Sequence, residues 1–191
     1  MKPEIEATFI DINKDELHEK LKQAGAKLLQ PEVLMKRVVF GLNDHSFLRV
    51  RDEGNQIIMT YKDVQSLTLT GTQEINVEVS NYQDTIDILK ASGLRAKADQ
   101  ETLREKWELD EVELDIDTWP WIPSYVEIEG PSVEKVQEVA QKLGFNMADA
   151  HYGSVDQIYK IYYDVTGRDI NECPEIKFTE VPEWLANKRR M

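Results

Sequence analysis

Along much of this chain apolar and charged residues alternate one by one, the period of two that a β-strand imposes when its two faces meet different surroundings. Near the start, Glu4, Glu6 and Thr8 fall on one side while Ile5, Ala7 and Phe9 fall on the other. The pattern returns in Arg49 and Arg51 around Val50, in Thr60 and Lys62 around Tyr61, and in Glu74, Asn76 and Glu78 against Ile75, Val77 and Val79. It recurs in Arg104 and Lys106, in Glu113, Asp115 and Asp117 around Leu114 and Ile116, and in Glu127 and Glu129 around Ile128.

Stretches of helical period lie between these runs. Asn13 with Glu16 three residues on reads as a capping box ahead of Leu17, Leu21 and Ala24, with Gly25 as the stop. Residues 81–92 turn Ile86 and Leu89 inward before Gly93. A third helix follows Gly130-Pro131-Ser132 and carries Val136, Val139, Ala140 and Leu143 up to Gly144. Ser154 with Gln157 opens a fourth, with Ile158, Ile161, Tyr162 and Val165 on one stripe and Gly167 as its end.

The remaining strands are predicted over residues 34–40, through Arg51 after a turn at Asn43-Asp44, over 56–62 after the hairpin signal Asp52-Glu53-Gly54-Asn55, and over 73–79 after a polar loop. Strand-like material runs from 94 to 118 with a turn near Asp110, and Trp119-Pro120-Trp121-Ile122-Pro123 forms a rigid connection into residues 125–129. The predicted order is strand, helix, four strands, helix, four strands, two helices, with no Gly/Ser linker. One α+β domain over residues 1–167, built on an antiparallel barrel, is the expected fold, followed by a loosely docked tail over 168–191.

A single charge-alternating strand would mean nothing, since any half-exposed strand reads that way and cross-strand salt bridges account for isolated pairs. Here nearly every strand alternates, and the charges sort into acid pairs and basic pairs. That suits a polar lumen holding a cation beside an anion.

Composition narrows the partners. A 191-residue chain that is 41% hydrophobic supports a core, and a formal charge of −13 argues against a nucleic-acid backbone or an anionic membrane as the main partner. An anionic ligand must be met locally, by the few basic pairs. The single Cys173 forms no internal disulfide, no apolar run is long enough to span a bilayer, and the N-terminus lacks a signal-peptide pattern, so a cytoplasmic protein is expected.

Clustered Glu and Asp without His or Cys ligands favour a hard cation, Mg²⁺ or Mn²⁺ rather than Zn²⁺; His18, His45 and His151 fall on helix or loop positions. Arg49, Arg51, Lys62, Arg104 and Lys106 together would hold a chain of phosphates. A metal bridging that chain to the carboxylates would complete a phosphoryl-transfer site. Water, activated by the metal or by a carboxylate such as Glu78 or Glu129, would attack the terminal phosphorus.

The sequence resembles the CYTH superfamily of triphosphate tunnel metalloenzymes, which includes class IV adenylyl cyclases, thiamine triphosphatases and inorganic tripolyphosphatases. The likeness rests on Glu4-Ile5-Glu6, Leu48-Arg49-Val50-Arg51, Thr60-Tyr61-Lys62, the alternation from Glu74 to Glu78, Arg104 with Lys106, Leu114-Asp115, and Val126-Glu127-Ile128-Glu129-Gly130. It implies an eight-stranded antiparallel tunnel. Glu4, Glu6, Glu127 and Glu129 would form the metal side, with Glu78 and Asp117 as further candidates. Arg49, Arg51, Lys62, Arg104 and Lys106 would form the phosphate side, with Lys36 or Arg37 as additions.

The resemblance also implies a small-molecule triphosphate as partner: tripolyphosphate, ATP or thiamine triphosphate. Hydrolysis is the first expectation, cyclisation of ATP the second, and binding without turnover the third. The third is prompted by Thr8, which stands where the family signature Glu-x-Glu-x-Lys has lysine. Trp119 and Trp121 are expected to cap the barrel end rather than stack on a base. Helices with apolar outer stripes would allow a homodimer.

Overall fold

The computed structural model describes residues 2–190. Its strands are β1 (Lys2–Glu4), β2 (Glu6–Phe9), β3 (Lys27–Gly41), β4 (Ser46–Asp52), β5 (Ile57–Val64), β6 (Thr72–Glu78), β7 (Ala96–Leu109), β8 (Val112–Thr118), β9 (Tyr125–Glu129) and the two-residue β10 (Glu175–Ile176). The helices are α1 (Lys14–Ala24), α2 (Tyr82–Ala91), α3 (Val133–Lys142), α4 (Asp156–Tyr162), α5 (Gly167–Asn171) and α6 (Glu183–Ala186). None is long and apolar enough to cross a membrane.

The sheet runs β1-β6-β5-β4-β3-β7-β8-β9-β2, each neighbouring pair antiparallel. Its two ends are consecutive in the chain, separated only by Ile5. Counted as one bent strand, β1 and β2 therefore join both edges, and eight antiparallel strands curl around a lumen. Loops finish the join: the Glu6 amide donates to the Leu69 carbonyl at 3.2 Å, and Thr8 exchanges backbone hydrogen bonds of 3.0 and 2.8 Å with His151.

Alternation then decides what faces where. The apolar positions of β2, β8 and β9 (Ala7, Phe9, Leu114, Ile116, Val126 and Ile128) point outward and are buried against Leu17 and Leu21 of α1 and Val136, Val139 and Ala140 of α3. Phe40 and Val50 meet Ile86 of α2 in the same way. The main apolar core thus lies outside the barrel, and the charged positions are left to the inside.

The cap predicted for α1 forms, whereas that predicted for α4 does not: α4 follows Val155 with no side-chain cap, and the Ser154 hydroxyl donates to the Asp156 carboxylate instead. The Asn13 carboxamide oxygen accepts from the amides of Asp15 and Glu16, Asn81 caps α2 and Ser132 caps α3, while Gly25 takes φ +82° just past α1.

Four further expectations are corrected. β3 begins at Lys27 rather than near 34: Pro31 breaks the pairing pattern, and the strand absorbs it through register shifts between Leu28 and Val33. The second run has three strands before α3 rather than four, because β7 is one 14-residue strand. α4 stops at Tyr162, and Gly167 opens α5 behind a Thr166 capping box instead of closing α4.

The fourth correction concerns the tail. β10 adds a parallel pair to β7, and Ile170, Cys173, Ile176 and Leu185 are buried in a second core with Trp119, Ile122, Tyr125, Tyr159 and Tyr163. The hydroxyls of Tyr159 and Tyr163 donate to the carbonyls of Pro120 and Trp121 at 2.6 and 2.7 Å, and the Trp121 indole donates to Thr179. The aromatic connection between β8 and β9 is thereby clamped from two sides.

Candidate active site

The lumen is a cavity of about 770 Å³. Around the barrel, four consecutive strands line it with cations: Lys62 on β5, Arg49 and Arg51 on β4, Arg37 on β3, Arg104 and Lys106 on β7. The other four line it with carboxylates: Glu113, Asp115 and Asp117 on β8, Glu127 and Glu129 on β9, Glu6 and Glu4 on the bent strand, Glu74 on β6. The lumen therefore has a basic wall and an acidic wall that meet along two seams.

Ion pairs close the seams. At one, the Lys62 ammonium lies 2.7 Å from Glu4 and 3.7 Å from Glu74. At the other, the Arg104 guanidinium binds Asp115, chelates Asp117 and reaches Glu127 at 2.7 Å, while Lys106 pairs with Glu113 at 3.0 Å.

Several mid-wall groups lack such partners, although Arg51 pairs with Glu53 just past the end of β4. Among the described residues, Arg37, Arg49, Glu6 and Glu129 enter no ion pair. Arg49 donates to the Thr60 hydroxyl at 3.3 Å, and Arg37 donates to Thr102 with its guanidinium 4.6 Å from the Trp119 ring centre. The Nε atoms of both arginines are buried without an acceptor.

The acid–base equilibria record this crowding. Burial, then the charges of Arg51 and Arg49, draws Arg37 well below the usual arginine value. Burial with Arg51 and Arg104 brings Arg49 down to about 9. On the acidic wall, burial and then Glu127 push Glu6 well up, and burial with Glu4 and Glu74 raises Glu129 to about 7. Burial and Asp117 raise Glu127 to about 7 despite Arg104, and burial lifts Asp115 to about 6. Glu4 is the contrast: burial pushes its carboxyl up, but the charge and hydrogen bond of Lys62, a hydrogen bond with Glu74 and the Arg49 charge together bring it below the usual value. Each wall thus carries like charge that a bound counter-charge would relieve.

Glu4, Glu6 and Glu129 offer carboxylate oxygens all within 4.8 Å of one another. An all-oxygen donor set with crowded negative charge suits a hard divalent cation such as Mg²⁺ or Mn²⁺.

Of the residues singled out from the sequence, Arg37, Arg49, Arg51, Lys62, Arg104 and Lys106 line the lumen, as do Glu4, Glu6, Asp117, Glu127 and Glu129. Two stand apart. Lys36 is exposed, because it neighbours the inward Arg37 and alternation turns it outward. Glu78 is exposed at the last position of β6, opposite Ile58 and beyond the lumen lining. Thr8 is 3% exposed and opposite Glu127 in the β2–β9 ladder.

Tyr125 and Glu53 are among the lining residues that escaped the sequence reading. Tyr125 continues the inward alternation of Glu127 and Glu129, which is the signal that would have found it. Glu53 was taken only as a turn residue, although it continues the spacing of Arg49 and Arg51 past the strand end.

An antiparallel tunnel with opposed acidic and basic walls defines the class of protein. The chain belongs to the CYTH family, whose domain matches residues 2–162. Among solved structures it is similar to the PH1012 protein from Pyrococcus horikoshii OT3, at 24% identity and a TM-score of 0.67 over 77% of this chain and 93% of that one. It is similar to a candidate adenylate cyclase from Vibrio parahaemolyticus, at 12% identity and a TM-score of 0.71 over 83% and 98%. It also resembles the candidate adenylyl cyclase HpAC1 from Hippeastrum, described as having a dominant triphosphatase activity, at 13% identity and a TM-score of 0.52 over 81% and 91%. At these identities the likenesses show the fold. No curated protein matches the chain.

Proposed function

We propose that the protein is a metal-dependent triphosphatase that removes the terminal phosphate from inorganic tripolyphosphate or an organic triphosphate. The observation that carries this reading is the pairing of unpartnered groups across the lumen: Arg37 and Arg49 without carboxylates, Glu6 and Glu129 without cations. A triphosphate with a divalent cation supplies both missing charges at once.

Glu4, Glu6 and Glu129 would hold Mg²⁺ or Mn²⁺, which when bound supplies Lewis-acid polarisation of a phosphoryl oxygen. The chain does the rest. Arg37, Arg49 and Arg51 bind the phosphate oxygens, align the chain and offset the charge that develops on the departing diphosphate. Glu127, with its carboxyl near neutrality, accepts a proton from the attacking water as the new oxygen–phosphorus bond forms and the bond to diphosphate breaks. Burial keeps bulk water from competing for these charges.

A second reading, binding without turnover, draws on Thr8, which sets no cation opposite Glu127. One experiment separates the readings: purified protein with Mg²⁺ or Mn²⁺ is incubated separately with tripolyphosphate, ATP and thiamine triphosphate, and products are analysed. Orthophosphate release is the expected result. Cyclic AMP with pyrophosphate would replace hydrolysis by cyclisation, and stabilisation by tripolyphosphate without any product would establish the binding reading.

A further inference from the structure

Arg51 differs from the other cations of its wall. Its Nε donates to a Glu53 carboxylate oxygen at 2.7 Å, and its Nη2 donates to the same oxygen. The second oxygen of Glu53 accepts from the Gln56 side chain at 2.9 Å, and the Glu53 carbonyl accepts from Gln30 on β3 at 3.0 Å. The Glu53 amide closes the turn onto the Gln56 carbonyl at 2.9 Å. Glu53 is 2% exposed and Arg51 8% exposed, and both line the lumen.

A turn between two strands has no general need for a buried carboxylate. Replacing a buried ion pair with apolar residues is commonly neutral or stabilising, so this pair is poorly explained by stability. Its effect on geometry is clearer. Arg37 lies opposite Arg51 in the β3–β4 ladder and Arg49 two residues away, three guanidinium groups that repel one another. A long side chain under that repulsion would swing away along its rotamers. Glu53, itself held by Gln56 and Gln30, fixes one edge of the guanidinium plane. The Nη1 amino group has no protein acceptor among the described residues, which leaves it for a phosphate oxygen.

We infer that Glu53 is a positioning residue: it anchors Arg51 from the β4–β5 turn so that the free edge of the guanidinium is presented to a phosphate of the bound triphosphate. The inference rests on the triphosphatase reading above. It makes the turn, rather than a lumen strand alone, a determinant of substrate affinity.

The test compares Glu53→Ala, which removes the anchor, with Glu53→Gln, which keeps one acceptor oxygen for Arg51 and replaces the other with an amide nitrogen, using tripolyphosphate and Mg²⁺. Glu53→Ala is expected to raise KM about tenfold with kcat within about twofold, the size of one misplaced charge-assisted contact. Glu53→Gln is expected to recover KM to within about threefold of the wild type, and Gln56→Ala to raise it by about two- to threefold. Should Glu53→Ala fail to fold, the Gln56→Ala shift and tripolyphosphate affinity of Glu53→Gln carry the same comparison. Unchanged KM in folded variants with only a lower Tm would make Glu53 a purely structural residue and overturn the inference. Tighter tripolyphosphate binding in both Glu53 variants would overturn it too, since the carboxylate would then act by repulsion. Failure of the wild type to bind or cleave tripolyphosphate would sink the underlying reading, whereas an active wild type with an indifferent Glu53→Ala would sink this inference alone.

Discussion

The seams of the lumen and the middles of its walls hold the same residue types in opposite situations. Arg104 sits at a seam with three carboxylates around it, and its charge is held above the usual arginine value by Asp115, Asp117 and Glu127 despite burial. Arg49 sits mid-wall with one hydroxyl contact, and burial among like charges lowers it to about 9. The carboxylates divide similarly, Glu4 lowered beside Lys62 and Glu129 raised among its acidic neighbours. The lesson is that sign and burial do not separate structural charges from ligand-facing ones. Arg104 and Arg49 differ instead in their number of internal partners, while Arg51 and Glu4 each keep one partner and still line the lumen.

Substitutions across the two situations test this division. Arg104→Ala leaves three buried carboxylates without their cation, and is expected to cost about 3 kcal/mol, a fall in Tm of roughly 10 °C by thermal unfolding. Arg49→Ala removes no internal ion pair, so Tm should stay within about 2 °C while kcat/KM for tripolyphosphate falls by 10- to 100-fold, as expected for a lost charge-assisted contact of about 1.5–3 kcal/mol. A reversal of the two phenotypes would break the comparison.

A smaller effect is expected from pH. Glu127 and Glu129 titrate near 7 when folded against an ordinary 4.5, so between those values the native state holds protons that the unfolded chain has released. Their contribution is therefore present at low pH and lost as pH rises through about 7. Glu53, held at about 2 chiefly by Arg51 against the effect of burial, stays ionised across that window and adds no slope. Without divalent cation, Tm at pH 8 is expected to lie roughly 5 °C below that at pH 5.5, with Mg²⁺ restoring much of the difference. A Tm that rises over the same interval would contradict the assignment. The smallest effect belongs to Lys36→Ala and Glu78→Gln, which lie outside the lumen and should leave kcat/KM within about twofold.

Much of the barrel was legible because its lumen is polar. Alternation marks a strand most clearly when one face is charged and the other apolar, as with Glu127, Ile128 and Glu129 packed between the lumen and α3. The same regularity points Arg49 and Arg51 inward from the sequence alone. It failed at Lys36 and Arg37, where two adjacent cations leave the phase open, and at Glu78, where the right face runs past the end of the lumen.

Partnership was not legible. Nothing in the spacing of Arg49 and Arg51 tells that Glu53 claims one and leaves the other, because the contact depends on how the turn folds back. The tail was hidden for a related reason. Ile176 and Leu185 are fully buried, yet they lie on short elements that have no period of their own and find their place against Trp119 and Tyr163.

The central claim is that the two walls bind opposite charges of one complex, and calorimetric titration of tripolyphosphate with and without Mg²⁺ tests it most directly. In the wild type, Mg²⁺ is expected to tighten tripolyphosphate binding at least about tenfold, and the double variant Glu6→Gln/Glu129→Gln is expected to abolish that gain while keeping the fold. Equal affinities with and without Mg²⁺ in the wild type, or an undiminished gain in the double variant, would contradict the division of the lumen into a metal wall and a phosphate wall.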